Sequence, residues 1–346
     1  DGTLAEGDLM LKQFAVLIEP ATEVVGHAVK CGGERSVGAM HHALGGEPQV
    51  GTHCCVAGRR LIDAGGVLLG QQFVQALRVR PHPAEHLVGV LAVREADHAD
   101  LVENLYTNPG EAGSKANNGI DDDGNGFIDD VHGWNFNGNT ASSSDDQGHG
   151  THCAGTIGGS GNNGIGVAGV NWQVSLMPVK FLGADGSGTL EGAIEAVNYA
   201  RMMKVDIMSN SWGGGGASQA LQEAIERARD AGILFVAAAG NDGGDNDSQP
   251  TYPAAYPVEN VLTVSAIDNQ GRLASFSNYG KVSVHVAAPG VNVVSSYLGG
   301  DYRSASGTSM ACPHVSGVAA LVLSANPGMS YSELKQRLIS TSQPRS

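Results

Sequence analysis

From residue 165 onward, short apolar runs alternate with stretches of helical spacing. Residues 174–182 predict a strand, 190–203 a helix and 205–209 the next strand. The alternation continues with a helix over 217–231 and strands over 233–239, 261–266 and 282–287. An apolar helix over 315–323 and a further helix over 331–339 complete it. Short strands that are apolar throughout, separated by helices, indicate an α/β protein whose central sheet is mostly parallel and covered on both faces.

Upstream the pattern breaks. Residues 1–97 form an unassigned segment in which apolar runs at 14–18 and 67–69 fit either a strand or a helix. The first hundred residues hold no Asn, Trp or Tyr and one Ser, Ser36, yet seven of the twelve His. Three readings are open: a propeptide-like domain, a disordered segment, or a mistranslated frame joined to a genuine one. The mistranslated frame accounts best for so abrupt a change, since the apolar content is high for disorder. His41-His42 and Cys54-Cys55 give no tetrahedral ligand spacing. A chain that begins at Asp1 without a leader pattern points to a fragment or processed form.

The net charge of −15 argues against a nucleic-acid partner, because phosphate binding needs clustered Lys and Arg. No uninterrupted apolar run reaches the roughly 18 residues of a membrane span. The five cysteines follow no disulfide or metal spacing.

Three stretches carry chemistry. Gly148-His149-Gly150-Thr151-His152-Cys153-Ala154-Gly155 sets an imidazole on a turn at the start of an apolar helix, where it can accept a proton from a hydroxyl. Gly307-Thr308-Ser309-Met310-Ala311-Cys312-Pro313 puts a hydroxyl at a helix N-terminus, which favours developing negative charge. The run from Val236 through Ala238, Ala239 and Gly240 to Asn241 ends a buried strand in an amide that can donate to an oxyanion. Taken singly, these are a turn histidine, an N-cap serine and a turn asparagine. Their conjunction excludes that reading.

Together they resemble the histidine, serine and asparagine signatures of the subtilisin-like serine proteases (subtilases, peptidase family S8). The resemblance runs from about His98 to about Thr341, within an assigned domain of residues 98–346. It implies a three-layer subtilisin-like fold and a serine endopeptidase, working through an acyl-enzyme on protein or peptide substrates. It implies His149 as general base, Ser309 as nucleophile and Asn241 as oxyanion donor. Gly186-Ser187-Gly188 and Ser211-Trp212-Gly213 resemble the two edges that pair with extended substrate. Ser211, Trp212, Gly213, Ala238, Ala239 and Gly240 would bound a roomy apolar pocket. Cys153 and Cys312 would be small buried residues, not a disulfide. The family also implies a secreted monomer with no membrane partner.

An acidic loop precedes the histidine motif. Asp121, Asp123, Asn125 and Gly126 open like an EF-hand, Asp129 takes the ninth position, and His132 stands where the bidentate Glu would be. Asp121, Asp123, Asn125, Asp129 and Asp130 are thus the expected ligands of a structural calcium ion.

One expected residue is missing. The family's catalytic aspartate lies in Asp-Ser/Thr-Gly, a short interval before a stretch that His98-Ala99-Asp100-Leu101 resembles. Counting back seven residues reaches Leu91, and a one-residue gap gives Ala92. Asp63-Ala64-Gly65-Gly66 is too distant, and Asp97 lies on the wrong side of the turn. The domain thus reads as incomplete at its first strand, and also at its C-terminus. The alternative to an endopeptidase is a catalytically impaired relative that binds peptides.

Overall fold

In the central strands, neighbouring residues serve opposite layers. The computed structural model describes residues 13–16, 86–90 and 98–345. Within β6 (Leu234–Ala238), Leu234, Val236 and Ala238 enter one core, and Phe235 and Ala237 the other. Because successive strand side chains point to opposite faces, a strand buried on both must be apolar at every position.

The other strands are β1 (Gln13–Val16), β2 (Leu87–Val90), β3 (Trp134–Asn135), β4 (Ser175–Lys180), β5 (Ile207–Asn210), β7 (Val261–Ile267), β8 (Val286–Pro289), β9 (Val293–Ser296), β10 (Tyr302–Ala305) and β11 (Ser342–Arg345). A nine-stranded sheet runs β11-β1-β8-β7-β6-β5-β2-β4-β3, and β9 and β10 form a separate hairpin. All neighbours in the large sheet are parallel except β1 and β11.

On one face lie α1 (His149–Gly158), α4 (Thr308–Ala325) and α5 (Tyr331–Ser340), packing Ile157, Val315 and Leu334 on Val236 and Val264. On the other lie α2 (Leu190–Met202) and α3 (Gln219–Asp230), packing Val197 and Ile225 on Phe235 and Met208. Thr189, Ser218 and Ser330 cap α2, α3 and α5 with their hydroxyls, each accepting an N–H of the first turn.

Two boundaries differ by several residues from the expectation. β8 starts at Val286 rather than 282, because the Asp247 carboxylate collects the N–H groups of Lys281, Val282 and Ser283 and holds that stretch as a loop. α4 starts at Thr308 rather than 315, so the serine motif is itself helical. At 18 residues and mean hydropathy 1.3, α4 is long and apolar enough to cross a membrane by length and composition alone, though 61% of that stretch is buried inside the fold.

β2 sits centrally, with Val88 paired to Leu176 of β4 and to Ile207 of β5. The described part of this strand is Leu87–Val90. Leu91, Ala92 and Asp97 lie outside the described residues, as do Asp63 and the His and Cys pairs upstream.

Candidate active site

Asp145 starts α1. Its carboxylate accepts the N–H groups of Gln147 (2.9 Å), Gly148 (2.8 Å) and Thr151 (2.9 Å), and the Thr151 hydroxyl (2.7 Å). The Gly148 and Thr151 N–H groups are among the donors a first helical turn leaves without intrahelical partners. Lys180, buried at the end of β4, anchors the same loop through Asp146 (2.6 Å) and the Ser144 carbonyl (3.2 Å).

His149 rises from this frame at the first position of α1. Burial lowers its pKa, opposed by the charge of Asp145 and reinforced by His152, so the imidazole is neutral, as a base must be. Among the described residues no carboxylate hydrogen-bonds its ring. Asp145 acts on it only through space, both its oxygens being occupied.

Cys153 lies one turn further along α1, and its thiol reaches the Ser309 carbonyl at 3.4 Å. That carbonyl is available because its helical acceptor role would fall to the N–H of residue 313, which is Pro. Ser211 fills the vacancy, its hydroxyl donating to the Ser309 carbonyl at 2.9 Å. In return the Ser309 hydroxyl donates to the Ser211 carbonyl at 3.2 Å. Cys153 and Cys312 are free and buried, with burial pushing their thiols up to about 12 and about 11.

Asn241 follows β6 through Gly240, whose φ of 109° suits glycine. The Asn241 side-chain oxygen accepts from the N–H (2.8 Å) and the hydroxyl (3.1 Å) of Thr308. Two donors on one oxygen fix which end of the amide is which, leaving the Nδ2 hydrogens as free donors beside Ser309.

The two expected substrate edges come from the ends of β4 and β5. Gly186, Ser187 and Gly188 are exposed on a tight turn, with Ser187 accepting from the Gly183 N–H (2.8 Å) and Gly188 bridged to Leu182. Trp212 stacks edge-on against Phe181 at 5.1 Å, and the Gly214 N–H donates to the Tyr252 carbonyl at 3.0 Å. A Cβ at Gly213 would sit a tight 3.1 Å from that carbonyl oxygen, and Ala238 and Ala239 are buried.

The acidic loop is held by a network of internal hydrogen bonds. Asp130 is fully buried and accepts from Tyr199 (2.6 Å), Asn108 (2.8 Å) and Asn125 (3.0 Å), a complete set of donors. Asp129 closes the loop on the N–H groups of Asn118 and Gly119, both at 2.9 Å. Asn125 turns its amide nitrogen to Asp130 and its oxygen to the Phe127 N–H. The other two expected ligands are hydrogen-bonded within the loop as well, Asp121 by the N–H groups of Gly126 and Asn125 and Asp123 by the Asn108 amide. Asp121 and Asp123 do converge, but with Glu111, which the loop pattern did not single out. Glu111 precedes the motif by ten residues and only folding reveals it. Lys180 and the hydroxyl of Ser211 were likewise not marked by any local pattern.

A doubly covered parallel sheet, with an imidazole and a hydroxyl on adjoining helix N-termini and an amide donor beside them, defines an α/β protein of the serine-hydrolase type. The chain belongs to the subtilase family, whose pattern matches residues 88–346. It is similar to a thermostable alkaline protease of Halalkalibacterium halodurans, at 46% identity over 57% of this chain and 53% of that protein. It is 43% identical to subtilisin DY of Bacillus licheniformis, over 61% of this chain and 76% of that one. Thus the match spans about half the length of the first relative and about three quarters of the second. A crystal structure of a cold-adapted subtilisin-like serine proteinase superposes with TM-score 0.60 at 33% identity, covering 74% of this chain and 81% of that one.

Proposed function

We propose that this chain carries the machinery of a serine endopeptidase, with the histidine's carboxylate partner missing. Ser309 attacks the peptide carbonyl and passes its proton to His149. The oxyanion accepts from Asn241 Nδ2 and the Ser309 N–H, and His149 protonates the leaving amine. Water then cleaves the ester by the same route. The observation that supports this reading is the Thr308–Asn241 pair, which occupies the amide oxygen next to the Ser309 motif and leaves the amide nitrogen as the donor end. Gly186-Ser187-Gly188 and Ser211-Trp212-Gly213 would align extended protein or peptide chains, and the small Ala238-Ala239-Gly240 wall suits an apolar side chain. Membership of the subtilase family and the net charge of −15 support an extracellular setting.

A peptide-binding role without turnover is the second reading. It is favoured by the Ser309 hydroxyl donating to Ser211, and by the lack of a carboxylate on the His149 ring among the described residues. Hydrolysis of a chromogenic peptide by the chain, by Ser309→Ala and by Leu91→Asp separates the two. The peptidase reading expects slow, Ser309-dependent turnover that Leu91→Asp raises toward about 10⁴-fold, a scale carried over from subtilisin- and chymotrypsin-type enzymes. Saturable peptide binding, with no turnover by the chain or by Leu91→Asp, would leave the binding reading standing.

A further inference from the structure

The β9–β10 hairpin lays one face on the start of α1. Its strands pair Arg303 with Ser295 and Ala305 with Val293. Tyr297 continues β9 in extended backbone. Alternation along the strands puts Arg303, Ser295 and Tyr297 on one side of the hairpin, and Tyr302, Val294 and Ser296 on the other. The first side meets α1. The Ser295 hydroxyl donates to the His152 carbonyl (2.8 Å), and the Tyr297 hydroxyl donates to the Gln147 carbonyl (2.9 Å). A Cβ at Gly148 would run into the Tyr297 ring, so that ring lies directly against the residue before His149. The Arg303 guanidinium stands over the same ring, 4.2 Å from its centroid.

Nothing in the fold calls for that charge. Arg303 is exposed, and its guanidinium has no hydrogen bond or ion pair among the described residues. Asp145, which starts α1, has both oxygens engaged by the helix. A cation near a helix N-terminus opposes the helix dipole, so the charge does not serve α1. A planar fork of N–H donors, held against an aromatic face, is thus left to solvent, and its geometry matches a carboxylate.

We propose that Arg303 selects acidic residues on the leaving-group side of the scissile bond. This rests on reading the Ser309 site as one that takes peptides. The half of the substrate that becomes the acyl group would lie between the Gly186–Gly188 and Ser211–Gly213 edges. The leaving half continues past His149, away from those edges. Gln147 joins the two regions: a Cβ at Gly186 would lie 3.8 Å from its amide nitrogen, and its carbonyl holds Tyr297. Beyond it the hairpin offers the Tyr297 ring as a wall and Arg303 as the cation. In a chain of net charge −15, which repels acidic peptides as a whole, one local cation discriminates by position and not by bulk attraction.

Peptide binding to full-chain Ser309→Ala, which cannot form the ester, tests this without turnover. Two labelled peptides are compared by fluorescence anisotropy. Both carry an apolar residue for the Ala238-Ala239-Gly240 wall, which fixes the register. One follows it with a pair of glutamates, the other with a pair of glutamines. The glutamate peptide should bind about fivefold tighter at low ionic strength, the upper range for an exposed ion pair, and the ratio should shrink as salt rises. Adding Arg303→Gln should collapse the ratio, and Arg303→Lys should retain part of it. Equal binding of the two peptides, or a preference that survives Arg303→Gln, overturns the proposal and leaves the peptide-site reading intact. Binding of neither peptide overturns both.

Discussion

Ser211 and Ser309 hold each other by both ends. Each hydroxyl donates to the other's carbonyl, at 2.9 Å from Ser211 and 3.2 Å from Ser309. The reciprocity depends on Pro313, which cannot donate to the Ser309 carbonyl. Ser211→Ala should leave that carbonyl with the weak Cys153 thiol donor alone. The expected loss is about 1–2 kcal/mol in urea denaturation. An unchanged midpoint would mean that water replaces the Ser211 hydroxyl.

Asn241 offers a cleaner separation of structure from chemistry. Its oxygen accepts twice from Thr308, and its nitrogen is the free donor. Asn241→Asp retains the acceptor and removes the donor. Stability should stay close to the parent, while turnover in the Leu91→Asp background should fall by about 10²–10³-fold, a scale carried over from a subtilisin oxyanion asparagine. Equal losses of folding and turnover would make Asn241 a structural residue.

Lys180 and Asp146 form an unequal pair. The lysine side chain is 3% exposed and the aspartate 48%. Removing the lysine leaves a carboxylate that water can reach; removing the carboxylate leaves a buried ammonium. Asp146→Asn should therefore destabilise more than Lys180→Met, by about 1–2 kcal/mol in denaturation midpoints converted to free energy. The reverse order would show that the Ser144 carbonyl alone satisfies the lysine.

His285 sets an acid limit. Burial lowers its pKa to about 3 from the ordinary 6.5, with Lys335 adding to the effect. Its ring nitrogen accepts the Thr263 N–H at 3.0 Å, which requires the neutral form at that nitrogen. The unfolded chain takes up this proton below about pH 6.5 while the folded chain resists it. Stability should thus be full above that pH and fall as pH drops toward 3, by about 2–4 kcal/mol after allowance for partial exposure. His285→Asn, which keeps an acceptor, should flatten that segment of the pH–stability curve. A parallel curve would place the acid sensitivity elsewhere.

The histidine, serine and asparagine motifs were legible because each is a contiguous run whose neighbours do local work. Gly148 opens α1, Gly307 caps α4 and Gly240 turns out of β6. The parallel sheet was legible because its strands are apolar on both faces. What escaped the sequence joins distant segments: Lys180 with Asp146, Ser211 with Ser309, and Glu111 with Asp121 and Asp123. The tie between Asp130 and Tyr199, a residue 69 positions away, escaped the sequence in the same way. Pro313 hid the start of α4, since proline within a helix costs an acceptor its partner unless another element supplies one.

The imidazole and the hydroxyl ride on separate helices, and the residues at the crossing are small. Cys153 meets the Ser309 carbonyl, while Ala154 and Ala311 are wholly buried in the same core. On its other side α1 has no slack: a methyl group at Gly155 would collide with Ser295 and Ser296 of β9. Under the proposed mechanism, side-chain volume at this seam therefore gauges the spacing between His149 and Ser309. A single added methylene there would push the two motifs apart as well as strain the core.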